Sequence, residues 1–173
     1  MGQVDLQGLS APEKLSPAQD LAQFLCGEPE LDDWLKRRAL QNEENGASRT
    51  YVVCVERQVV GYYALANGAV AHMVAPGRVR RNMPNPIPVM VIARLAVNHK
   101  FQGRGIGLAL LKDAVLRTVQ AAEIAGIRAV LVHAISEGAK RFYENLGFIA
   151  SPTNPMTLML TVRAAAHTLT EES

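Results

Sequence analysis

V-M-V-I-A-R-L-A-V (residues 89–97), N-H-K-F-Q-G-R-G-I-G (98–107) and L-A-L-L-K-D-A-V-L-R-T-V (108–119) follow one another without a break, and their reading decides the fold. The first stretch is apolar and β-branched, interrupted only by Arg94, as expected of a buried or half-buried strand. A polar turn from Asn98 to Gln102 comes next, then glycines at 103, 105 and 107. Beyond them Leu108, Leu111, Val115 and Val119 recur at i, i+3, i+7 and i+11, one face of an amphipathic helix. Strand, glycine loop and helix together form a phosphate cradle. The first N–H groups of a helix lack intrahelical partners and carry partial positive charge, and glycine lets an anion come close to them.

Spacing narrows the ligand. A dinucleotide fingerprint G-x-G-x-x-G would need a glycine where Leu108 stands and would begin at the strand end; a P-loop would need Gly-Lys-Ser/Thr. The chain has neither; it has Gln102-Gly103-Arg104-Gly105-Ile106-Gly107, a Q-x-x-G-x-G pattern. On this pattern the loop resembles that of the GNAT acyl-CoA N-acyltransferases, which holds the coenzyme A pyrophosphate. The resemblance implies acetyl-CoA as acyl donor, cradled by residues Gln102, Gly103, Arg104, Gly105, Ile106 and Gly107. It also implies that pantetheine lies along Leu95, Ala96 and Val97. A glycine-rich turn that only packs is the plainer alternative from the motif alone.

At 173 residues, with 49% hydrophobic and 20% charged side chains, the chain suits one ordinary globular domain. Its apolar runs fall short of the ~20 residues a membrane-spanning helix needs. M-G-Q-V-D-L-Q-G-L-S at the start has no basic region followed by an apolar core, so no signal peptide is expected. Cys26 and Cys54 stand alone, and His72, His99, His133 and His167 lack metal-ligand spacing. The expected compartment is the cytoplasm, with no membrane partner and no metal.

The net charge is only +2, but from Arg57 to Lys112 there is no Asp or Glu at all. That segment carries Arg57, Arg78, Arg80, Arg81, Arg94, Lys100, Arg104 and Lys112. Coenzyme A accounts for two or three cations, but not readily for Arg78, Arg80 and Arg81 in a proline-rich loop ahead of the phosphate turn. A larger polyanion such as RNA is the sharper reading, and a solvated basic loop is the plainer one.

Taken in order, Ser16-Pro17 predicts a helix start carrying Leu21, Phe24 and Leu25, ended by Gly27 and Pro29. A second helix is expected from Glu30 to Asn45, with Leu31, Trp34, Leu35 and Ala39 on its apolar face and Gly46 as its stop. T-Y-V-V-C-V-E (50–56) and V-V-G-Y-Y-A-L-A (59–66) predict an antiparallel pair. Residues 74–88, with four prolines, read as the one long loop. A strand over Arg128–Ala134, a helix over Glu137–Leu146 ended by Gly147, and last strands over Phe148–Ile149 and Thr157–Val162 follow. One domain over residues 1–163 and a fraying tail over 164–173 complete the expectation. The order gives an α/β chain: a mixed sheet with antiparallel N-terminal strands and a central parallel pair flanked by helices. That is also the GNAT acyltransferase fold the resemblance implies.

The resemblance extends along the chain. A-K-R-F-Y-E-N-L-G-F (139–148) resembles the acyltransferase segment whose tyrosine faces the thioester sulfur, which implies Tyr143 as the catalytic acid and Phe142 beside the cofactor. F-L-C-G-E-P-E-L-D-D-W-L, R-R-A-L-Q-N, G-A-S-R-T-Y-V-V, V-V-G-Y-Y-A-L-A, R-R-N-M-P-N-P-I-P-V and R-L-A-V resemble the GNAT-family toxins of toxin–antitoxin modules, which acetylate aminoacyl-tRNA. These matches span about residues 20–162; Asn98 departs, where such proteins often carry an acid. The narrower resemblance implies a charged-tRNA substrate, a DNA-binding antitoxin partner and a homodimer. On it, Arg78, Arg80, Arg81 and Arg94 are the expected tRNA-binding residues.

Acyl transfer from a thioester to an amine needs a neutral amine, a polarised carbonyl and a proton for the departing thiolate. Backbone N–H groups near Ala96 and Val97 suit the second need and a Tyr143 phenol of pKa ~10 the third. No obvious base stands in the middle of the chain. An α-amine has a pKa of about 7.7–8.0 against ~10.4 for lysine, so the missing base favours an α-amine acceptor. Three functions remain open: a toxin acetylating charged tRNA, an acetyltransferase of small-molecule or protein amines, and a silent coenzyme A-binding module.

Overall fold

The computed structural model describes residues 8–171. Residues 1–7, part of the stretch read for a signal peptide, and residues 172–173 of the expected tail lie outside the described residues. Among the described residues the strands are β1 (Glu13–Lys14), β2 (Arg49–Val55), β3 (Gln58–Val70), β4 (Ile87–Val97), β5 (Ala129–His133), β6 (Ile149–Ala150) and β7 (Thr157–Thr161). They form one sheet in the order β1-β2-β3-β4-β5-β7-β6. The pairs β1–β2, β2–β3, β5–β7 and β6–β7 are antiparallel, while β4 and β5 run parallel. This is the mixed sheet the sequence predicts, with one addition: β7 enters between β5 and β6. The helices are α1 (Pro29–Arg37), α2 (Ala39–Asn45), α3 (Gly77–Arg80), α4 (Ile106–Ala121), α5 (Glu137–Asn145) and α6 (Val162–Glu171).

Two compact units share these elements, and both β3 and β4 run from one into the other. The first holds the residues up to 66 together with 94–114. Its core gathers Phe24, Trp34, Leu35, Val52, Val59 and Tyr62, all buried. Each such side chain removed from water contributes roughly 1.5–3 kcal/mol. The Tyr62 hydroxyl is satisfied by donating to Leu31 O at 2.7 Å, and the Tyr63 hydroxyl donates to the Asp113 carboxylate. Gly61 lets α4 come down onto β3: a Cβ there would lie 3.1 Å from Leu110 Cδ1 and 3.3 Å from Ile106 Cγ2. The second unit holds residues 67–93 and those from 115 onward. Its core joins Ala75, Val79, Ile87 and Val89 to Ala129, Leu131 and Met159.

Four local expectations are corrected. Residues 16–26 form turns, not a helix. Asp20 N–H donates to Arg57 O at 2.7 Å and Asp20 O accepts from Val59 N–H at 2.9 Å, so this backbone is engaged with the β2–β3 hairpin. The expected helix from 30 to 45 breaks at Arg38, where φ is −121°. An unbroken helix would align Arg38 and Asn42 with Leu31, Trp34 and Leu35; with the break, Ala39 is in the core and Leu40 packs against it. The long loop contains a helical turn, α3, whose Val79 is buried. The described part of the tail is helical, α6 running to Glu171: Thr161 Oγ1 accepts from Ala164 N–H at 3.1 Å as an N-cap, and Ala165 is 1% exposed. No helix among the described residues is long and apolar enough to cross a membrane.

Candidate active site

In the first unit the glycine loop expected to cradle phosphate grows out of the end of β4. The parallel register with β5 ends at Ile92↔Val132, and β4 continues to Val97 with no β5 partner. Leu95 and Val97 are half-buried there, and Ala96 turns its methyl into the core. Asn98 makes the turn: its Oδ1 accepts from Lys100 N–H at 3.1 Å and its Nδ2 donates to Gln23 O at 3.2 Å. A carboxylate at 98 could not supply that donor, which explains the amide.

Gln102 clips the loop in place, its Nε2 donating to Val97 O and to Cys26 O, each at 2.9 Å. Gly103 and Gly105 then take φ of +77° and +83°, the left-handed region that glycine enters without a Cβ clash. A Cβ built on either would meet no protein atom within 4 Å. Gly105 O accepts from Ala109 N–H at 3.0 Å, so it stands at the helix start. The N–H groups of Ile106, Gly107 and Leu108 therefore open α4 without carbonyls one turn before them. Ile106 is buried and anchors that turn, while Arg104 and Lys100 are exposed beside it. A 16-residue helix opening with bare amides behind two glycines, with cations alongside, has the local chemistry that suits phosphate oxygens.

The same unit places Arg94, half-buried on β4, with its guanidinium 4.3 Å from the centroid of Trp34. Trp34 in turn stacks on Tyr62 with centroids 6.0 Å apart. Such a cation–π seat holds the guanidinium plane in one orientation. The sequence reading takes Trp34 only as core; periodicity along one helix carries no sign of a partner on β4.

In the second unit Tyr143 lies on α5, whose N-cap Ser136 accepts from Ala139 N–H at 3.1 Å. Its ring sits between Phe142, at 5.3 Å, and Phe148, at 5.5 Å, and is 8% exposed. Burial raises its phenol above the ordinary tyrosine value. It therefore stays protonated at neutral pH.

Arg78, Arg80 and Arg81 are all exposed on α3 and the residue after it. Asn82 follows at φ +61°, a left-handed turn that asparagine tolerates. His72 fastens the far side of the segment: its Nε2 lies 2.8 Å from both Met83 O and Pro84 O, to which it donates. Arg128, to which the sequence assigns no role, donates from just before β5 to Arg78 O, Val79 O and Arg81 O. Its partners lie about fifty residues away, and no local pattern announces them.

Other chemistries find no support. Cys26 and Cys54 are buried and free, and burial pushes both thiols up to about 11, so neither is a thiolate at pH 7. Among the described residues no three His, Cys, Asp or Glu side chains come together as a metal site.

An acetyltransferase (GNAT) domain matches residues 46–150. A tRNA-acetylating toxin of Mycobacterium tuberculosis (strain ATCC 25618 / H37Rv) is 54% identical over 160 residues, 92% of this chain and 96% of its own. The solved structure of AtaT complexed with acetyl-methionyl-tRNAfMet superposes with a TM-score of 0.86 at 29% identity, covering 93% of this chain and 99% of that one. A tyrosine-to-phenylalanine mutant of AtaT, bound to the C-terminus of the antitoxin AtaR and acetyl-CoA, gives 0.79 at 29% identity, covering 94% and 99%.

Proposed function

This chain belongs to the GNAT acetyltransferase family, and from that premise we propose that it is a toxin that acetylates the amino acid carried by charged tRNA, using acetyl-CoA. The observation that carries the reading is the 54% identity, over 92% of the chain, to a tRNA-acetylating toxin. The acceptor is the α-amine, which is partly neutral at pH 7 and needs no strong base. Once acetylated, that nitrogen is an amide and no longer a nucleophile for peptide-bond formation, so translation stops. On the same reading the chain works in the cytoplasm beside a DNA-binding antitoxin, and its assembly is a homodimer.

Acetyl-CoA supplies the activated acetyl group when bound. The amides opening α4, framed by Gly103 and Gly105, hold its pyrophosphate, with Arg104 at the rim. Backbone groups of Leu95, Ala96 and Val97, past the last β5 partner, hold the pantetheine as an added strand and polarise the thioester oxygen. As the amine nitrogen bonds to the carbonyl carbon, the C–S bond breaks and Tyr143 gives its phenolic proton to the departing sulfur. The ammonium proton leaves to water and the phenolate is reprotonated from solvent. Arg78, Arg80 and Arg81 take tRNA phosphates, and Arg94, oriented by Trp34, lies toward the acceptor end.

Replacing Arg78, Arg80 and Arg81 together with Ala tests the substrate. The triple variant should bind tRNA more weakly and keep its acetyl-CoA affinity. For every phosphate no longer neutralised, the magnitude of the log–log salt slope should fall by about 0.7–0.9. An acetyltransferase of small amines predicts equal slopes for wild type and variant, and that result would remove these arginines from the tRNA surface.

A further inference from the structure

We propose that Arg128 is a positioning residue that holds Arg78, Arg80 and Arg81 as one preformed phosphate-binding surface, an inference that rests on the tRNA reading above. The carbonyls of the segment divide into two sets. Pro76 O accepts from Val79 and Arg80 N–H, Gly77 O from Arg81 N–H, and Arg80 O from Met83 N–H, at 2.9–3.1 Å. Those of Arg78, Val79 and Arg81 go to Arg128: Nη2 lies 2.8 Å from Arg78 O and 3.4 Å from Arg81 O, and Nε lies 3.0 Å from Val79 O. A single planar guanidinium thus closes a helical turn too short to hold itself together.

The base of this brace is fixed. Arg128 N–H donates to Pro88 O, and Arg128 O accepts from Val162 N–H, each at 2.9 Å, so its backbone is tied to β4 on one side and α6 on the other. Three exposed arginines within four residues repel one another, and nothing from Arg57 to Lys112 is acidic. Left loose, the segment would spread its charges and order them only on binding, at an entropic cost. Arg128 holds the backbone with bonds to carbonyl oxygens, which neutralise none of the three charges. The surface is therefore ordered yet remains fully cationic.

The test is a cycle of Arg128→Lys and Arg128→Met, each made in the wild-type chain and in the triple-Ala chain, with thermal melting to confirm folding. Lysine keeps the charge but loses the planar fork, so both substitutions should weaken tRNA binding about tenfold, the worth of lost charged hydrogen bonds. KM for charged tRNA should rise while kcat and acetyl-CoA affinity hold. In the triple-Ala chain the same substitutions should change nothing further. If Arg128→Met fails to fold, the milder Lys variant decides alone. Full affinity in Arg128→Lys, or an equal loss in both backgrounds, overturns the positioning role. A triple-Ala chain that binds tRNA like wild type overturns the surface reading itself, whereas a triple-Ala loss without an Arg128 effect overturns only this inference.

Discussion

Tyr143→Phe is expected to keep the fold and acetyl-CoA affinity while lowering kcat by ~10²–10⁴-fold, the worth of a positioned acid. On the barrier this is about 3–5 kcal/mol. The ring's packing against Phe142 and Phe148 does not need the hydroxyl, so phenylalanine fills the same space and stability should change little. What is lost is the proton for the departing thiolate. Because burial raises the phenol above its usual value, the acid stays protonated across the neutral range. Any fall in wild-type rate due to its ionisation therefore belongs above pH ~10. Single-turnover rates on charged tRNA, with acetyl-CoA binding measured alongside, decide the matter. An unchanged kcat would take Tyr143 out of the chemistry and leave it a core residue.

Gly105→Val should abolish measurable acetyl-CoA binding, a loss of at least ~100-fold, for two reasons that act together. At φ +83° a β-branched residue is strained, at a cost of about 1–3 kcal/mol. Its Cβ would also enter space with no atom of a non-neighbouring residue within 4 Å, at the residue whose carbonyl starts α4. The protein can accommodate the valine, but a pyrophosphate cannot then reach the backbone. Gly107 provides the contrast: its φ is not in the left-handed region, and a Cβ there would meet Val97 Cγ2 at an ordinary 3.9 Å. Gly107→Ala should therefore cost much less. Calorimetry with acetyl-CoA on the folded variants checks both, and near-normal affinity in Gly105→Val would sink the cradle.

Where sequence and structure agree, the signal is local. A glycine spacing, a strand pattern and a helix face are written within one stretch, and the physics that reads them acts over a few residues. Residues 89–119 are such a stretch, and β4, the glycine turn and α4 follow from them almost residue for residue. The Gly46 stop is equally local, φ +75° after α2. Ser16-Pro17 shows the limit: the start signal is present, but the hydrogen bonds that Asp20 N–H donates to Arg57 O and Asp20 O accepts from Val59 N–H override a weak preference. Tyr143 lies between these cases. Its place on a short helix is legible from periodicity, whereas its role comes from resemblance and not from spacing.

Patterns along the chain suffice for the α/β class, the glycine turn that opens α4, the acid-free basic segment and the lack of any cysteine or histidine motif for metal. Folding in three dimensions adds that β7 lies between β5 and β6, that Arg94 is seated on Trp34, and that Arg128 carries the carbonyls of the arginine turn. Each of these joins residues far apart in the chain. Such a pairing depends on which buried polar group is left needing a partner once the strands have stacked, and no window along the sequence contains both members.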